Sequence, residues 1–107
     1  MKVIVTGRTV KPELEEKFGV KGSVISAVDL IKGIANCAEM NSIDVEGACG
    51  TYETNFDGKA KAALDTLLDG YDFVYIHMEA PDECGHHGDL DGKIRSIELI
   101  DKKVIKP

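Results

Sequence analysis

Residues 73–78, with the sequence FVYIHM, constrain the fold of this chain more than any other segment. The run is nearly all apolar or aromatic on both of its alternating faces. A strand with one face in water would instead alternate apolar and polar residues. Two-sided apolar runs are typical of parallel sheets that helices cover on both faces. The sequence therefore predicts that residues 73–78 form the central strand of an α/β domain.

Segments with helical periodicity flank this run. Ser26-x-x-Asp29 and Thr54-x-x-Asp57 have capping-box-like spacing, and each precedes an apolar stripe. Shorter extended segments are predicted at 3–5, 23–25 and 42–45, and a helical turn at 12–18. The apolar stripes predicted to face inward are Leu30, Ile31, Ile34, Cys37 and Ala38, then Phe56, Ala60, Ala63, Leu64, Leu67 and Leu68, and finally Leu90, Ile94, Ile97, Ile100 and Val104.

This alternation of strands and helices predicts a three-layer α/β fold with a mainly parallel sheet and right-handed crossovers. In such sheets ligands bind beyond the carboxyl ends of the strands, which is where residues 79–89 fall. The length of 107 residues allows one domain.

Composition narrows the possible partners. Hydrophobic residues make up 43% of the chain and charged residues 30%, as in ordinary globular domains. A formal net charge of -6 repels phosphate backbones, so we expect no nucleic-acid partner. No apolar run approaches the roughly 20 residues of a membrane helix, and the first residues are too short an apolar stretch for a signal peptide. We therefore expect a cytoplasmic protein without a membrane partner.

The three cysteines, Cys37, Cys49 and Cys84, are far apart and form no C-x-x-C pair. They are predicted to be reduced thiols. Cys37 is expected to act as a small hydrophobic residue on the apolar face of its helix. Cys84 lies between Asp82 and His86 and could bind a soft metal, although the surrounding carboxylates favour harder cations.

Residues 79–89, EAPDECGHHGD, are the densest group of potential ligands. They hold four carboxylates, two imidazoles and a thiol in eleven positions. Asp82-x-x-x-His86 can bring a carboxylate and an imidazole to one divalent ion if the loop turns at Gly85. A polar loop that only faces water is the alternative, and composition alone does not decide between them. His77, on the predicted strand, is expected to be a hydrogen-bonded core histidine rather than a ligand.

The motif P-D-x-x-G-H-x-G, present at 81–88, resembles that of cofactor-independent phosphoglycerate mutases. The sequence of this segment is most similar to the archaeal-type branch, and the similarity extends back through residues 17–34, KFGVKGSVISAVDLIKGI. Together the resemblance covers roughly residues 13 to 105.

The resemblance implies part of an alkaline-phosphatase-like core, in which two divalent ions, commonly manganese or zinc, flank a serine nucleophile. It implies that Asp82 and His86 bind one of these ions, that the His87 position is not a ligand, and that the substrate is a phosphoglycerate. Members of the family are several times longer. Their nucleophilic serine and remaining ligands have no counterpart in this sequence.

We therefore expect residues 1–107 to be a single partial α/β domain that is inactive alone. Two alternatives stay open: a non-catalytic metal-binding or interaction module, and a subunit completed in trans by a second chain. A truncated sheet leaves apolar surface uncovered, so we also expect self-association.

Overall fold

The computed structural model describes residues 14–107, so the strand predicted at 3–5 lies outside the described residues. Three parallel strands form a sheet in the order β2-β1-β3. No helix among the described residues is long and apolar enough to cross a bilayer. The strands are β1 (Gly22–Ile25), β2 (Asn41–Ile43) and β3 (Phe73–Ile76), and the helices are α1 (Leu14–Phe18), α2 (Asp29–Cys37), α3 (Phe56–Leu68), α4 (Ala80–His86) and α5 (Leu90–Ile100), which continues as a π-helix over Asp101–Ile105.

The winding of the chain reverses around β1. The chain passes through α2 to β2 on one side of β1, and then returns through α3 to β3 on the other side. Because parallel crossovers are right-handed, this reversal puts α2 and α3 on opposite faces of the sheet. Tyr75 accordingly lines a groove with residues of α2, whereas Ile76 lines one with residues of α3. The predicted α/β class with a parallel sheet is confirmed.

The reversal also locates the crevice in which such folds bind ligands. It lies beyond the carboxyl ends of β1 and β3, where the two directions of winding diverge. Ser26 follows β1 and His77 follows β3, so these two residues stand at the crevice.

The prediction that residues 73–78 form the central strand is wrong for the described sheet. All four residues of β1 are buried, and β1 lies between the other two strands. No described strand pairs with the outer edge of β3, and Tyr75 is 51% exposed. A two-sided apolar pattern reports what covers the faces of a strand. It carries no information about which strands pair with its edges.

The large apolar side chains predicted to face inward are in part exposed. Leu30, Ile34 and Cys37 of α2 are exposed, as are Leu64, Leu67 and Leu68 of α3 and Leu90, Ile94 and Ile97 of α5. Of the residues predicted to face inward, Phe56 and Ala63 of α3 are buried. The other buried positions of these helices are Ala35 of α2, Lys59 and Thr66 of α3, and Gly92 and Ser96 of α5. Each helix thus packs through one side and leaves a second apolar side uncovered by the described residues. The periodicity of the sequence does not indicate which of the two apolar sides is buried.

Two predicted helix starts shift by a residue or more. Asn55, not Thr54, caps α3, and its side chain accepts a hydrogen bond from Gly58 N at 2.9 Å. Thr54 Oγ1 accepts one from Cys49 N instead. Helix α2 begins at Asp29, and Ser26 Oγ accepts from Val28 N just before it. For α3 a neighbouring polar side chain thus satisfies a free donor of the first turn, whereas the Ser26 bond precedes α2 and Val28, the cap residue of α2, makes no side-chain cap bond.

Residues 80–86, predicted as loop, form helix α4. Pro81 stands in its first turn, where a missing N–H costs nothing. Asp82 and Glu83 follow in the same turn, and their charge suits the positive end of the helix dipole. The prediction of a loop was therefore wrong because Pro81 lies at the start of a helix, where proline is tolerated.

Candidate functional site

Asp82 and His86 lie together on the exposed side of α4. They are one helical turn apart, with His86 Nε2 3.2 Å from Asp82 Oδ2. Their side chains are 71% and 72% exposed. A helical turn, rather than the predicted turn of a loop, brings the two groups together.

The chemistry and spacing of these two donors suit a divalent cation. Two ligands that each bind one ion at about 2.1 Å lie about 3.0 to 3.4 Å apart for angles from roughly 90° to 109°. The observed separation falls in this interval. Across residues 14–107, however, no three His, Cys, Asp or Glu side chains are grouped closely enough to hold an ion. The described residues thus place two potential ligands at a spacing that a metal could use, and they group no third one with them.

The neighbouring candidates point elsewhere. His87 Nδ1 lies 2.8 Å from the Glu83 carbonyl oxygen and 3.8 Å from the Glu83 carboxylate. Cys84 is buried and contacts Ser96 of α5, with 3.9 Å between sulfur and hydroxyl oxygen. Burial against α5 makes Cys84 a packing residue rather than a ligand for a soft metal.

Ser26 and His77 bridge the crevice between β1 and β3. His77 N continues the sheet by donating to Ile25 O at 2.9 Å, and His77 Nδ1 lies 3.3 Å from Ser26 Oγ. His77 is half-buried and Ser26 is buried. His77 therefore has the hydrogen-bonded environment expected of a core histidine.

Sequence reasoning missed a buried lysine at the same crevice. Lys59 is only 1% exposed, and its Nζ donates to the His77 carbonyl oxygen at 3.2 Å. Burial lowers the pKa of Lys59, while the nearby charges of Cys49 and Glu79 oppose that shift. One signal was available, because Lys59 lies at helical spacing between Phe56 and Ala63 on a buried side of α3.

Cys49, on the loop after β2, forms a second cluster together with Lys59 and Glu79. The Thr51 hydroxyl, 3.1 Å from the sulfur, is the main cause that lowers the pKa of the Cys49 thiol. The backbone of Thr51, the Thr54 hydroxyl and the charge of Lys59 act in the same direction. The Glu79 carboxylate lies beside the same loop, within 2.9 Å of where a side chain at Gly50 would begin.

The described residues form a doubly wound parallel α/β sheet, with a carboxylate and an imidazole just beyond the carboxyl end of a strand. Comparison with protein families agrees with this class. The sequence profile of the Metalloenzyme superfamily matches residues 6–106. The chain belongs to the Metalloenzyme superfamily.

The most informative relatives are phosphoglycerate mutases. The chain is 54% identical, over 90% of its length, to a 2,3-bisphosphoglycerate-independent phosphoglycerate mutase of Methanothrix thermoacetophila, and covers 24% of that protein. It is 53% identical, over 86% of its length, to a probable mutase of the same kind from Geobacter sulfurreducens, and covers 23% of it. The resemblance to this mutase family, including its archaeal members, is confirmed.

A solved structure supports the fold independently. The structure of a Pyrococcus horikoshii protein matches with a TM-score of 0.80 and 37% sequence identity. The match covers 86% of this chain and 28% of that one. The chain thus spans about a quarter of the length of the relatives that it matches.

Proposed function

We propose that this chain is a segment of a metal-dependent, cofactor-independent phosphoglycerate mutase and carries half of a divalent-metal site. The reaction would be the interconversion of 3-phosphoglycerate and 2-phosphoglycerate in glycolysis, in the cytoplasm. One observation carries the proposal: Asp82 and His86, 3.2 Å apart, lie within a segment that is 54% identical to such a mutase.

Asp82 and His86 would hold one ion, manganese or zinc. Asp82 contributes a charged oxygen and His86 an imidazole nitrogen, both from an exposed helix face that an ion can reach. When bound, the ion would polarise a phosphoryl oxygen of the substrate and activate a hydroxyl nucleophile.

Residues 1–107 alone should not catalyse the reaction. Two ligands leave most of the coordination positions to water. Two serines of this region are buried and already bonded: Ser23, within β1, donates to the Asn41 carbonyl at 2.9 Å, and Ser26, at the carboxyl edge, accepts from Val28 N. Neither is presented as a nucleophile in the described structure.

Completion in trans by a second polypeptide is one alternative, and uncovered surfaces of the described residues are compatible with it. The outer edge of β3 has no partner among the described strands, and α2, α3 and α5 expose large apolar side chains. Such surfaces drive association, either with a second copy of the chain or with a polypeptide carrying the other ligands. A non-catalytic metal-binding or interaction module would use the same surfaces.

Metal titration tests the half-site. We expect Mn²⁺ or Zn²⁺ to bind the chain weakly in isothermal titration calorimetry, and the binding to disappear in His86→Ala and in Asp82→Asn. His87→Ala is the matched control, because this neighbouring imidazole is equally exposed but bonds to Glu83. Affinity should fall on acidification, because protons compete with the metal for imidazole.

Equal loss of binding in His86→Ala and His87→Ala, or no loss in either, would refute the half-site. A separate assay tests inactivity: mutase turnover with Mn²⁺ should stay at background. Turnover that disappears in Ser26→Ala would show that the nucleophile lies in this chain after all.

A further inference from the structure

We infer that Lys59 is a positioning residue for the proposed metal site: it holds the turn between β3 and α4, and thereby the helix that carries Asp82 and His86. The inference rests on the proposed function and deepens it. It concerns a residue that contacts neither candidate ligand and acts through the backbone that supports them.

The environment of Lys59 needs an explanation. Its side chain is 1% exposed and lies in the first turn of α3. A buried ammonium group costs free energy unless its partners compensate for lost hydration. We therefore expect the ammonium group of Lys59 to have a role besides filling space in the core.

The partners of Lys59 bracket the β3–α4 turn. On one side, Nζ donates to the carbonyl oxygen of His77, the first residue after β3. On the other side, the charge of Glu79 attracts the ammonium group. Only Met78 separates these two residues, so one side chain of α3 bonds to the first residue of the turn and attracts the charge at its end.

Glu79 is also the point where α4 starts. Its carbonyl oxygen accepts hydrogen bonds from Asp82 N and Glu83 N, each at 3.0 Å. Its carboxylate lies against Gly50, on the loop that follows β2. The position of Glu79 thus sets the direction of the first helical turn, and Asp82 lies in that turn.

The approach of Asp82 to His86 depends on this turn being formed, because the two residues meet only through helical spacing. Without the ammonium group, the His77 carbonyl loses a donor and Glu79 loses its counter-charge. The start of α4 would then open more often, and the two ligands would spend less time at bonding distance.

The test compares Lys59→Met with Lys61→Met, a control on the same helix whose side chain is 75% exposed. Amide hydrogen exchange at Asp82 and Glu83 is measured by NMR without metal. Exchange there should accelerate about tenfold in Lys59→Met, the factor for one hydrogen bond to a charged group. Exchange in β1 should change much less, and Lys61→Met should match the wild type.

The second readout is the Mn²⁺ concentration that broadens the His86 resonance by half. It should rise severalfold in Lys59→Met and stay unchanged in Lys61→Met. Glu79→Gln removes the counter-charge without altering the core, and it should loosen α4 in the same way if Lys59→Met does not fold. In the double variant, exchange at Asp82 should be no faster than in Lys59→Met alone.

Equal acceleration throughout the sheet would show that Lys59 only packs, and would overturn the inference. Faster exchange in α4 with unchanged Mn²⁺ broadening would overturn it as well. Because exchange is measured without metal, it can be interpreted even if His86→Ala shows that the metal site itself is wrong. The two failures can therefore be told apart.

Discussion

Replacing His77 with alanine should lower the free energy of unfolding by about 2 kcal/mol. The hydrogen bond between Nδ1 and Ser26 Oγ, 3.3 Å long, accounts for about 1 kcal/mol. Loss of the half-buried ring, which stacks on Tyr75 with 6.5 Å between centroids, accounts for about 1 kcal/mol more. The backbone bonds of His77 to Ile25 and Lys59 do not need the imidazole, so they remain.

Urea unfolding followed by circular dichroism measures this loss, and the melting temperature should fall by about 10 °C for a domain of this size. His87→Ala is the control, with a side chain 74% exposed and an expected change within about 0.5 kcal/mol. A double-mutant cycle with Ser26→Ala should return a coupling of about 1 kcal/mol. If His77→Ala is as stable as the wild type, or if the coupling is zero, the bridge across the crevice does not support the fold.

Three further predictions concern pH, capping and association. The pKa of Cys49 lies below its ordinary value of 9.0, so the stability that its thiolate contributes is complete above pH 9.0 and is lost as pH falls through the lowered pKa. The free energy of unfolding should therefore rise with pH in urea titrations from pH 7 to 9.5, and Cys49→Ser should flatten this rise. Asp89 accepts a hydrogen bond from Gly92 N at 2.8 Å as the cap of α5, so Asp89→Ala should cost about 1 kcal/mol in the same assay, whereas Asp89→Asn should cost little. The wild type should form dimers or larger species in light scattering. Tyr75→Lys should reduce them by placing a charge on the exposed face of β3, the strand with the open edge; a mass that is monomeric in both would contradict this surface.

The elements of the fold were largely predictable because each has a strong local signal. The apolar run of β3, the periodicity of α3 and the stop at Asp69-Gly70 are properties of short segments. The parallel sheet followed from their alternation along the chain. The order of the strands could not be predicted in the same way, because the side-chain pattern of β3 does not depend on which strands pair with its edges.

The site was predictable in part for a similar reason. Asp82 and His86 are four positions apart, so any single turn of backbone brings them together. The cluster of Lys59, Cys49 and Glu79 joins three separate segments, and only the packing of α3 against the sheet assembles it. A lysine in an amphipathic helix is ordinarily interpreted as a surface residue, so the burial of Lys59 was missed although it lies at helical spacing between Phe56 and Ala63.

The sheet register also sets an order for folding. Ser23 lies 18 positions before its neighbour Asn41 on β2, whereas β1 meets β3 across 51 positions, as between Lys21 and Asp72. Closing the longer loop costs about 0.9 kcal/mol more in chain entropy. The β1–α2–β2 unit should therefore form first, and β3 should join it later. Helix α4 follows β3 directly, so we expect the two candidate metal ligands to reach their final positions only after β3 has joined the sheet.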